Sequence, residues 1–211
     1  MIDVVICDDH ALVRRGIRQT LQEAVDLRVT GEASSYADVR ELLRHVHCDV
    51  LLLDLALPGR GGLEVLAALA DAESTVRVLV VSMFPEEQYA IRCLKAGAQG
   101  YVSKSGDPAE LVMATRLVAQ GRKYVTPEMA QMLAETVSRP AQDSTLAHSV
   151  LSDRELQTLT MIASGKRLSD IAEELKLSPK TVSVYRSRVL EKLNLPNNAA
   201  VTVYAIRNQL V

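Results

Sequence analysis

The sequence is poor in the residues that mark disulfide-rich, membrane-spanning or aromatic-rich proteins. It has no Trp, one Phe and only three Cys in 211 residues. An odd number of cysteines without metal-like spacing argues against a disulfide framework. No run approaches the ~20 apolar residues of a transmembrane helix, and Met1-Ile2-Asp3 lacks the basic start of a signal peptide. We therefore expect a protein of the reducing cytoplasm without a membrane segment.

Charge is distributed unevenly along a chain whose composition, 48% apolar and 24% charged, is that of a globular protein. The residues after Val150 carry nine Lys and Arg against six Asp and Glu, a net charge of +3. The residues before them carry 15 against 20, a net charge of −5. An acidic front and a basic back predict two domains with different partners, with nucleic acid a candidate for the second.

Up to about residue 121 the hydrophobic pattern alternates between strand-length apolar runs and helix-length amphipathic stretches. Continuous runs such as Val4-Val5-Ile6 are typical of strands buried on both faces of a parallel sheet. The pattern predicts five strands and five helices in strict alternation, which is the order of an α/β fold. We expect the first helix, over 10–24, to carry Leu12, Ile17 and Leu21 on one side.

Polar side chains lie at the ends of four of the predicted strands. Asp8 and Asp9 follow the first, Asp54 follows the third, Ser82 the fourth and Lys104 the fifth. The carboxyl ends of parallel strands converge on one edge of the sheet, beside the position where the strand order reverses. We therefore expect three carboxylates, a hydroxyl and an ammonium to meet in one cleft.

Carboxylates crowded into one cleft repel each other unless a hard divalent cation lies among them. Mg2+ suits oxygen ligands and keeps water and substrate oxygens in its coordination shell. One carboxylate is then a candidate nucleophile toward phosphorus, because aspartyl phosphates are established covalent intermediates. Lys104 is predicted to neutralise one phosphoryl oxygen, and Ser82 to donate a hydrogen bond to another. The cleft is thus predicted to be a phosphoryl-transfer site with a bound cation.

The second half of the chain has only helical patterns. Residues 123–147 are predicted to be a linker, helical over about 126–137 and then polar and aperiodic. Beyond it, Ser152 and Glu155 form a capping box that starts one helix, and Ser178-Pro179 starts another. Two short helices joined by three or four residues are typical of a helix-turn-helix motif.

The helix that begins at Ser178-Pro179 carries the candidate DNA-binding residues. Val182, Val189 and Leu193 recur at helical spacing and are predicted to face the core. The opposite face mixes cations, hydroxyls and one apolar side chain, which suits base edges in a major groove. Side chains nearer the rims, among them Lys166 and Arg167, are better placed for phosphates. The predicted DNA-binding residues of this helix are Lys180, Thr181, Ser183, Val184, Arg186, Ser187, Arg188 and Lys192.

The first 122 residues resemble the receiver domain of two-component response regulators. The residues that carry the resemblance are Asp8-Asp9, Asp54, Ser82, Tyr101 and Lys104. It implies a flavodoxin-like, doubly wound, five-stranded parallel sheet in the order 2-1-3-4-5. It also implies that Asp54 accepts a phosphoryl group from a sensor histidine kinase, and that Ser82 and Tyr101 form a switch pair whose ring turns inward. The implied Mg2+ ligands are Asp9, Asp54 and the carbonyl of Ala56, with Asp8 acting through water.

Residues 151–211 resemble the LuxR-type helix-turn-helix of the NarL/FixJ family of regulators. The resemblance rests on residues that include Leu151-Ser152, Arg154-Glu155, Gly165, Ile171-Ala172, Leu177-Ser178, Lys180-Thr181-Val182 and Lys192-Leu193. It implies an all-α, four-helix DNA-binding domain over 148–211, after a receiver over 1–122. It further implies a homodimer that pairs through the last helix, over 198–210, on promoter DNA, with RNA polymerase as a possible further partner.

The favoured hypothesis is therefore a transcription factor, not an enzyme, in which phosphorylation of Asp54 controls dimerisation and sequence-specific DNA binding. A phosphatase of the haloacid dehalogenase type is the first alternative, since it also uses an Asp nucleophile with Mg2+. Against it, Ala56 occupies the position where such an enzyme has its general acid. The second alternative is a DNA-binding module that works without phosphorylation, against which the full set of acids and Lys104 argues.

Overall fold

The structure, a computed structural model, describes residues 1–138, 147–208 and 210–211. Its elements confirm five alternating strands and helices followed by helices alone. In chain order they are β1 (Ile2–Cys7), α1 (Ala11–Gln22), β2 (Leu27–Ala33), α2 (Tyr36–His45), β3 (Val50–Leu53), α3 (Gly62–Asp71), β4 (Arg77–Ser82), α4 (Glu86–Lys95), β5 (Gly100–Ser103), α5 (Pro108–Ala119), α6 (Pro127–Ser138), α7 (Asp153–Ala163), α8 (Leu168–Glu174), α9 (Pro179–Lys192) and α10 (Asn198–Arg207).

The five strands form one parallel sheet in the predicted order β2-β1-β3-β4-β5. Val4 pairs with Val50 across β1 and β3, and Leu52 pairs with Leu79 across β3 and β4. These side chains are buried, as the helices on both faces of a parallel sheet require. The strand order reverses between β1 and β3, so the cleft predicted at a reversal lies beyond the ends of those two strands.

One prediction about α1 is wrong. Ile17 and Leu21 are buried as expected, but Leu12 is 84% exposed. Leu12 precedes Ile17 by five residues, which places it well off the stripe because a helix turns about 100° per residue. Val13, four residues before Ile17, packs against the core in its place. The inward face of α1 is therefore Val13, Ile17 and Leu21.

The chain divides into two compact units, Met1–Ala134 and Glu135–Val211. The predicted linker, 123–147, contributes its first residues to the first unit. Tyr124 forms a single parallel bridge with Gly100, and Met129 is fully buried. Residues 139–146 of the linker lie outside the described residues. The predicted boundaries at 122 and 148 remain predictions.

Capping residues start the helices of the second unit where the sequence predicts. The Ser152 and Glu155 side chains each accept a hydrogen bond from the other residue's main-chain amide. Ser178 Oγ accepts a hydrogen bond from the Thr181 amide and starts α9. Val182 and Val189 of α9 are fully buried, as predicted, whereas Leu193, just after the helix, is only half-buried. The Ser178 cap therefore fixes which residues of α9 turn inward and which face of the helix stays exposed.

Candidate functional site

An ammonium lies between two carboxylates at the carboxyl edge of the sheet. Lys104 Nζ, just after β5, is 2.7 Å from Asp54 Oδ2 and 2.6 Å from Asp8 Oδ2. Asp54 directly follows β3 and Asp8 directly follows β1, so the three residues meet because parallel strands end on the same edge. All three side chains are buried. The predicted convergence of these strand ends is present.

Asp9 completes this group at the rim. Its Oδ1 atom is 2.7 Å from Nδ1 of His10, whose imidazole is mostly exposed. Asp8 Oδ1 accepts a hydrogen bond of 2.8 Å from the His10 amide, which fixes the start of α1 against the sheet edge. The candidate ligand atoms of Asp8, Asp9, His10 and Asp54 all lie within 4.8 Å of one another. We call Asp8, Asp9, Asp54 and Lys104 the acid pocket.

Burial and neighbouring charges set the protonation of the acid pocket. Burial raises the pKa of Asp54 above its ordinary value, although the ammonium of Lys104 partly offsets the effect. Burial alone lowers the pKa of Lys104, but the carboxylates of Asp54 and Asp8 more than reverse this, so the pKa lies above its ordinary value. Lys104 is therefore charged at neutral pH, whereas burial makes ionisation of Asp54 less favourable than it is in water.

The acid pocket fits a hard divalent cation. It holds three carboxylates against one ammonium. Among the described residues, no group donates a well-aligned hydrogen bond to the buried Asp54 Oδ1, although a main-chain hydrogen bond at Ala56 lowers the pKa of this carboxyl. A buried carboxylate oxygen without a donor is costly unless a cation or ligand compensates it. Oxygen donors in this number suit Mg2+. Ala56, half-buried two residues after Asp54, has its carbonyl on the same loop.

Ser82 and Tyr101 lie behind the pocket, on the adjacent strands β4 and β5. Both are fully buried. The Tyr101 hydroxyl donates a hydrogen bond of 2.7 Å to the carbonyl of Phe84, and the Phe84 amide lies 3.4 Å from Ser82 Oγ, which accepts from it. Burial raises the pKa of Tyr101, so its hydroxyl stays protonated and remains a donor. The ring already has the inward position implied for the phosphorylated switch pair.

Two residues of this region, Gly62 and Phe84, were not predicted from the sequence to belong to the site. Gly62 begins α3, and a Cβ there would overlap the carbonyl oxygen of Asp54 and lie 2.9 Å from the Leu55 Cα. Glycine is required because α3 starts directly against the main chain of the predicted acceptor residue. Phe84 bonds to Ser82 and Tyr101, the predicted switch pair, through main-chain atoms alone, so its side-chain type gives no sign of these contacts.

The α9 helix presents a continuous exposed face. We call Lys180, Ser183, Val184, Ser187 and Arg188 the recognition face. All five are exposed, and Val184 shows 43% of its surface. They follow the spacing of one helix side, opposite the buried Val182 and Val189. Thr181, beside them, is half-buried.

Two predicted DNA-binding residues lie off this face and have partners within their own unit. Arg186 Nε donates a hydrogen bond of 2.6 Å to Asn198 Oδ1. Lys192 Nζ is 2.7 Å from Glu155 Oε2 and donates to the Val150 carbonyl at 3.2 Å. Glu155 is almost fully buried, and this ion pair lowers its pKa despite the opposing effect of burial. Lys192 thus joins the end of α9 to the capping box of α7.

Both parts of the chain match protein families. Residues 4–116 match the response regulator receiver domain, and residues 149–205 match the luxR family of bacterial regulatory proteins. The chain is 39% identical to the response regulator UvrY of Escherichia coli K12 over all of this chain and 96% of that protein. It is 38% identical to the response regulator GacA of Pseudomonas aeruginosa over all of this chain and 98% of that protein. The chain belongs to the NarL/FixJ family of response regulators.

Solved structures agree with this assignment. RcsB of Salmonella enterica serovar Typhimurium, bound to the promoter rprA in the presence of the phosphomimetic BeF3−, superposes with a TM-score of 0.63 at 26% identity. The match covers 96% of this response regulator and 97% of RcsB. The family is one of transcription factors rather than enzymes, which argues against the phosphatase alternative. Among the described residues, no helix combines the length and apolarity needed to cross a bilayer.

Proposed function

We propose that a sensor histidine kinase phosphorylates this response regulator on Asp54. The observation that carries the proposal is the placement of Lys104 Nζ within 2.7 Å of both Asp54 and Asp8, all three buried at one sheet edge. An Asp54 carboxylate oxygen attacks the phosphorus of a phosphohistidine, and an O–P bond forms. The P–N bond breaks, and its electron pair stays on the imidazole nitrogen of the kinase.

Mg2+ is the proposed cofactor, held by the carboxylates of Asp9 and Asp54 and the carbonyl of Ala56, with Asp8 acting through water. The ion supplies positive charge to the phosphoryl oxygens when it is bound. Lys104, whose Nζ lies 2.7 Å from Asp54 Oδ2, supplies a second positive charge. The Ser82 hydroxyl donates a hydrogen bond to a phosphoryl oxygen and still accepts one from the Phe84 amide.

Phosphorylation adds about 1.5 to 2 negative charges to a buried site, enough to bias a two-state loop. We propose that Ser82 and Tyr101 are the residues through which the loop responds, and that the response controls dimerisation. The α10 helix supports a homodimer because Val203 and Ile206 expose apolar side chains on one side of it. Such a surface is stabilised when a second copy covers it.

The recognition face of α9 is proposed to read promoter DNA in the major groove. Arg188 suits guanine, the hydroxyls of Ser183 and Ser187 suit either base edge, and Val184 suits a thymine methyl group. Lys180 and Thr181 begin the helix, where main-chain amides favour phosphate. Arg186 and Lys192 at the rims are proposed to contact phosphates with the donors that their internal partners leave free. RNA polymerase is a possible further partner. The proposed setting is the cytoplasm, where the thiols of Cys7, Cys48 and Cys93 stay reduced.

Incubation with Mg2+ and acetyl phosphate tests the acceptor. We expect the intact protein to gain the mass of one phosphoryl group, and the Asp54→Asn variant to gain none. Asp71→Asn, an exposed carboxylate at the end of α3, is the matched control and keeps the gain. An unchanged mass of the parent protein would contradict the proposal and favour the alternative of a DNA-binding module that works without phosphorylation.

A further inference from the structure

The beginning of α6 belongs to the first unit and is bonded to it by the residues just before the helix. The Tyr124 amide donates a hydrogen bond of 2.8 Å to the Gln99 carbonyl, and the Tyr124 hydroxyl donates one of 2.7 Å to Glu110. Five residues later, Met129 is completely buried. Residues 124–129 are therefore fixed by both main-chain and side-chain contacts, and α6 starts from a defined position on the receiver.

Thr126 makes two hydrogen bonds at this start. Its Oγ1 atom accepts a bond of 3.1 Å from the Met129 amide, which caps the first turn of α6. The same hydroxyl donates to the carboxylate of Glu86, the first residue of α4. Thr126 is itself buried, and burial raises the pKa of Glu86. The cap of α6 is thus bonded directly to a partly desolvated carboxylate at the start of α4.

Glu86 is only four residues after Ser82, the predicted switch residue at the end of β4. The Phe84 amide lies 3.4 Å from Ser82 Oγ, and the Phe84 carbonyl accepts the Tyr101 hydroxyl at 2.7 Å. The Phe84 ring stacks on Tyr89 of α4, with ring centroids 4.9 Å apart. The segment from Ser82 to Glu86 is therefore held at one end by the switch pair and at the other end by the cap of α6.

We propose that the Glu86–Thr126 hydrogen bond is a latch through which the phosphorylated pocket stabilises the first turn of α6. The proposal rests on the proposed function of Asp54. A phosphoryl group that accepts a hydrogen bond from Ser82 holds the loop after β4 in the arrangement seen here, because the Ser82 hydroxyl can donate to phosphate and still accept from Phe84. Glu86 is then fixed in reach of Thr126. Since α6 leads out of the receiver, the latch carries the state of the pocket to the linker.

Coupling of this kind is reciprocal. If occupancy of the pocket strengthens the seat of α6 by some factor, then breaking the latch weakens occupancy of the pocket by the same factor. Two measurements on one set of variants therefore have to agree. The first is amide hydrogen exchange at Met129 and Ala130, whose amides bond to the Thr126 hydroxyl and carbonyl. The second is the affinity for BeF3− with Mg2+, followed by the amide shift of Ser82.

The full chain is compared with Glu86→Ala and with Glu87→Ala. Glu87 is the matched control, because it is the next acid in the first turn of α4 but is exposed. In the parent and in Glu87→Ala we expect BeF3− to slow exchange at Met129 and Ala130 about fivefold. In Glu86→Ala we expect no slowing, and an affinity for BeF3− lower by about the same factor. The Thr126 cap is intact in Glu86→Ala, so α6 still forms.

Two results would overturn the latch, and they have different meanings. In the first, BeF3− shifts the Ser82 amide resonance of the parent but leaves hydrogen exchange at Met129 and Ala130 unchanged. This result contradicts the latch and is compatible with the proposed function. In the second, the Ser82 amide resonance does not shift even at high concentrations of BeF3− and Mg2+. This result contradicts the proposed function and therefore also the latch that rests on it. Thr126→Ser and Thr126→Val give a second comparison, in which only the hydroxyl-retaining Thr126→Ser keeps the slowing.

Discussion

The acid pocket and the recognition face are built in opposite ways. In the acid pocket, Lys104 fixes Asp54 and Asp8 through contacts of 2.7 and 2.6 Å, and all three side chains are buried. On the recognition face, the side chains of Lys180, Val184 and Arg188 are exposed on one side of α9. The side chains of the pocket are fixed by contacts with one another. On α9, by contrast, burial of Val182 and Val189 fixes the helix, and within the described part of the chain the exposed side chains are not fixed by contacts of this kind.

This difference separates chemistry from specificity. A preorganised pocket favours one reaction because its charges are already in place before the reactant arrives. The exposed face is proposed to acquire its contacts from DNA, and its sequence preference would then depend on which base edges its side chains reach. Lys192, at the end of α9, is held by an ion pair with Glu155. It therefore positions the helix whether or not it also contacts a phosphate.

The largest expected effect comes from adding a side-chain carbon at Gly62, which lies against the main chain of Asp54. Gly62→Ala introduces a Cβ that overlaps the Asp54 carbonyl and lies 2.9 Å from the Leu55 Cα, so the main chain must move. We expect a loss of about 3 kcal/mol in the free energy of unfolding, measured with urea, because overpacking against the main chain finds no relief in side-chain rotation. Phosphorylation by acetyl phosphate should also fall, since Asp54 moves with its carbonyl.

Gly16→Ala is the control for this substitution. Gly16 lies within α1, and a Cβ there meets no atom within 4 Å. Alanine is the better helix former, so this variant should gain about 0.5 to 1 kcal/mol of stability. Losses of similar size in both variants would show that the sheet edge is no more tightly built than an exposed helix.

The recognition face gives the next largest effect. Arg188→Ala should weaken binding to the cognate operator by about 1 to 3 kcal/mol and leave binding to random DNA nearly unchanged, because Arg188 is proposed to read a base edge. Fluorescence anisotropy at several salt concentrations measures both affinities. The parent should show a steep decrease with salt, because phosphate contacts release counterions.

Arg167→Ala is the matched control, since Arg167 is an exposed arginine proposed for the phosphate rim. It should weaken operator and random DNA about equally and reduce the salt slope by about one. Equal losses on both DNAs for Arg188→Ala as well would reassign Arg188 to the backbone. A binding constant that does not respond to salt would contradict DNA binding altogether.

Much of the fold and of the acid pocket is predictable from the sequence, for a physical reason. Strands buried on both faces leave continuous apolar runs, and the polar residue after each run marks the sheet edge, as Asp54 and Lys104 do. The spacing of residues along the chain is a poorer guide to burial and to close main-chain approaches, because both depend on how the elements pack. Leu12 looks like a core residue and is exposed. Gly62 looks like part of a loop, and its role depends on the main chain of Asp54, which the sequence does not reveal.

The smallest expected effect concerns the charge of Asp54. Burial raises the pKa of this carboxyl, so the folded state holds its proton more firmly than the unfolded state does. The ionised carboxylate therefore costs stability at neutral pH, and Asp54→Asn should melt at a higher temperature than the parent at pH 7 without divalent cations. As the pH falls from the folded-state pKa toward the ordinary value of 3.8, the parent recovers this stability by binding a proton, and the difference shrinks.

Mg2+ should reverse the order of the two proteins. If Mg2+ binds the folded parent and not the unfolded chain, then an ion concentration of 100 times its dissociation constant adds about 2.7 kcal/mol of stability. We expect Asp54→Asn to gain less, because one charged ligand is missing. Melting curves from pH 7 down to pH 5, with and without Mg2+, measure both effects. A melting temperature of Asp54→Asn equal to or below that of the parent at pH 7 without Mg2+ would mean that Lys104 already compensates the carboxylate in full. The acid pocket would then lack the excess negative charge that attracts a cation.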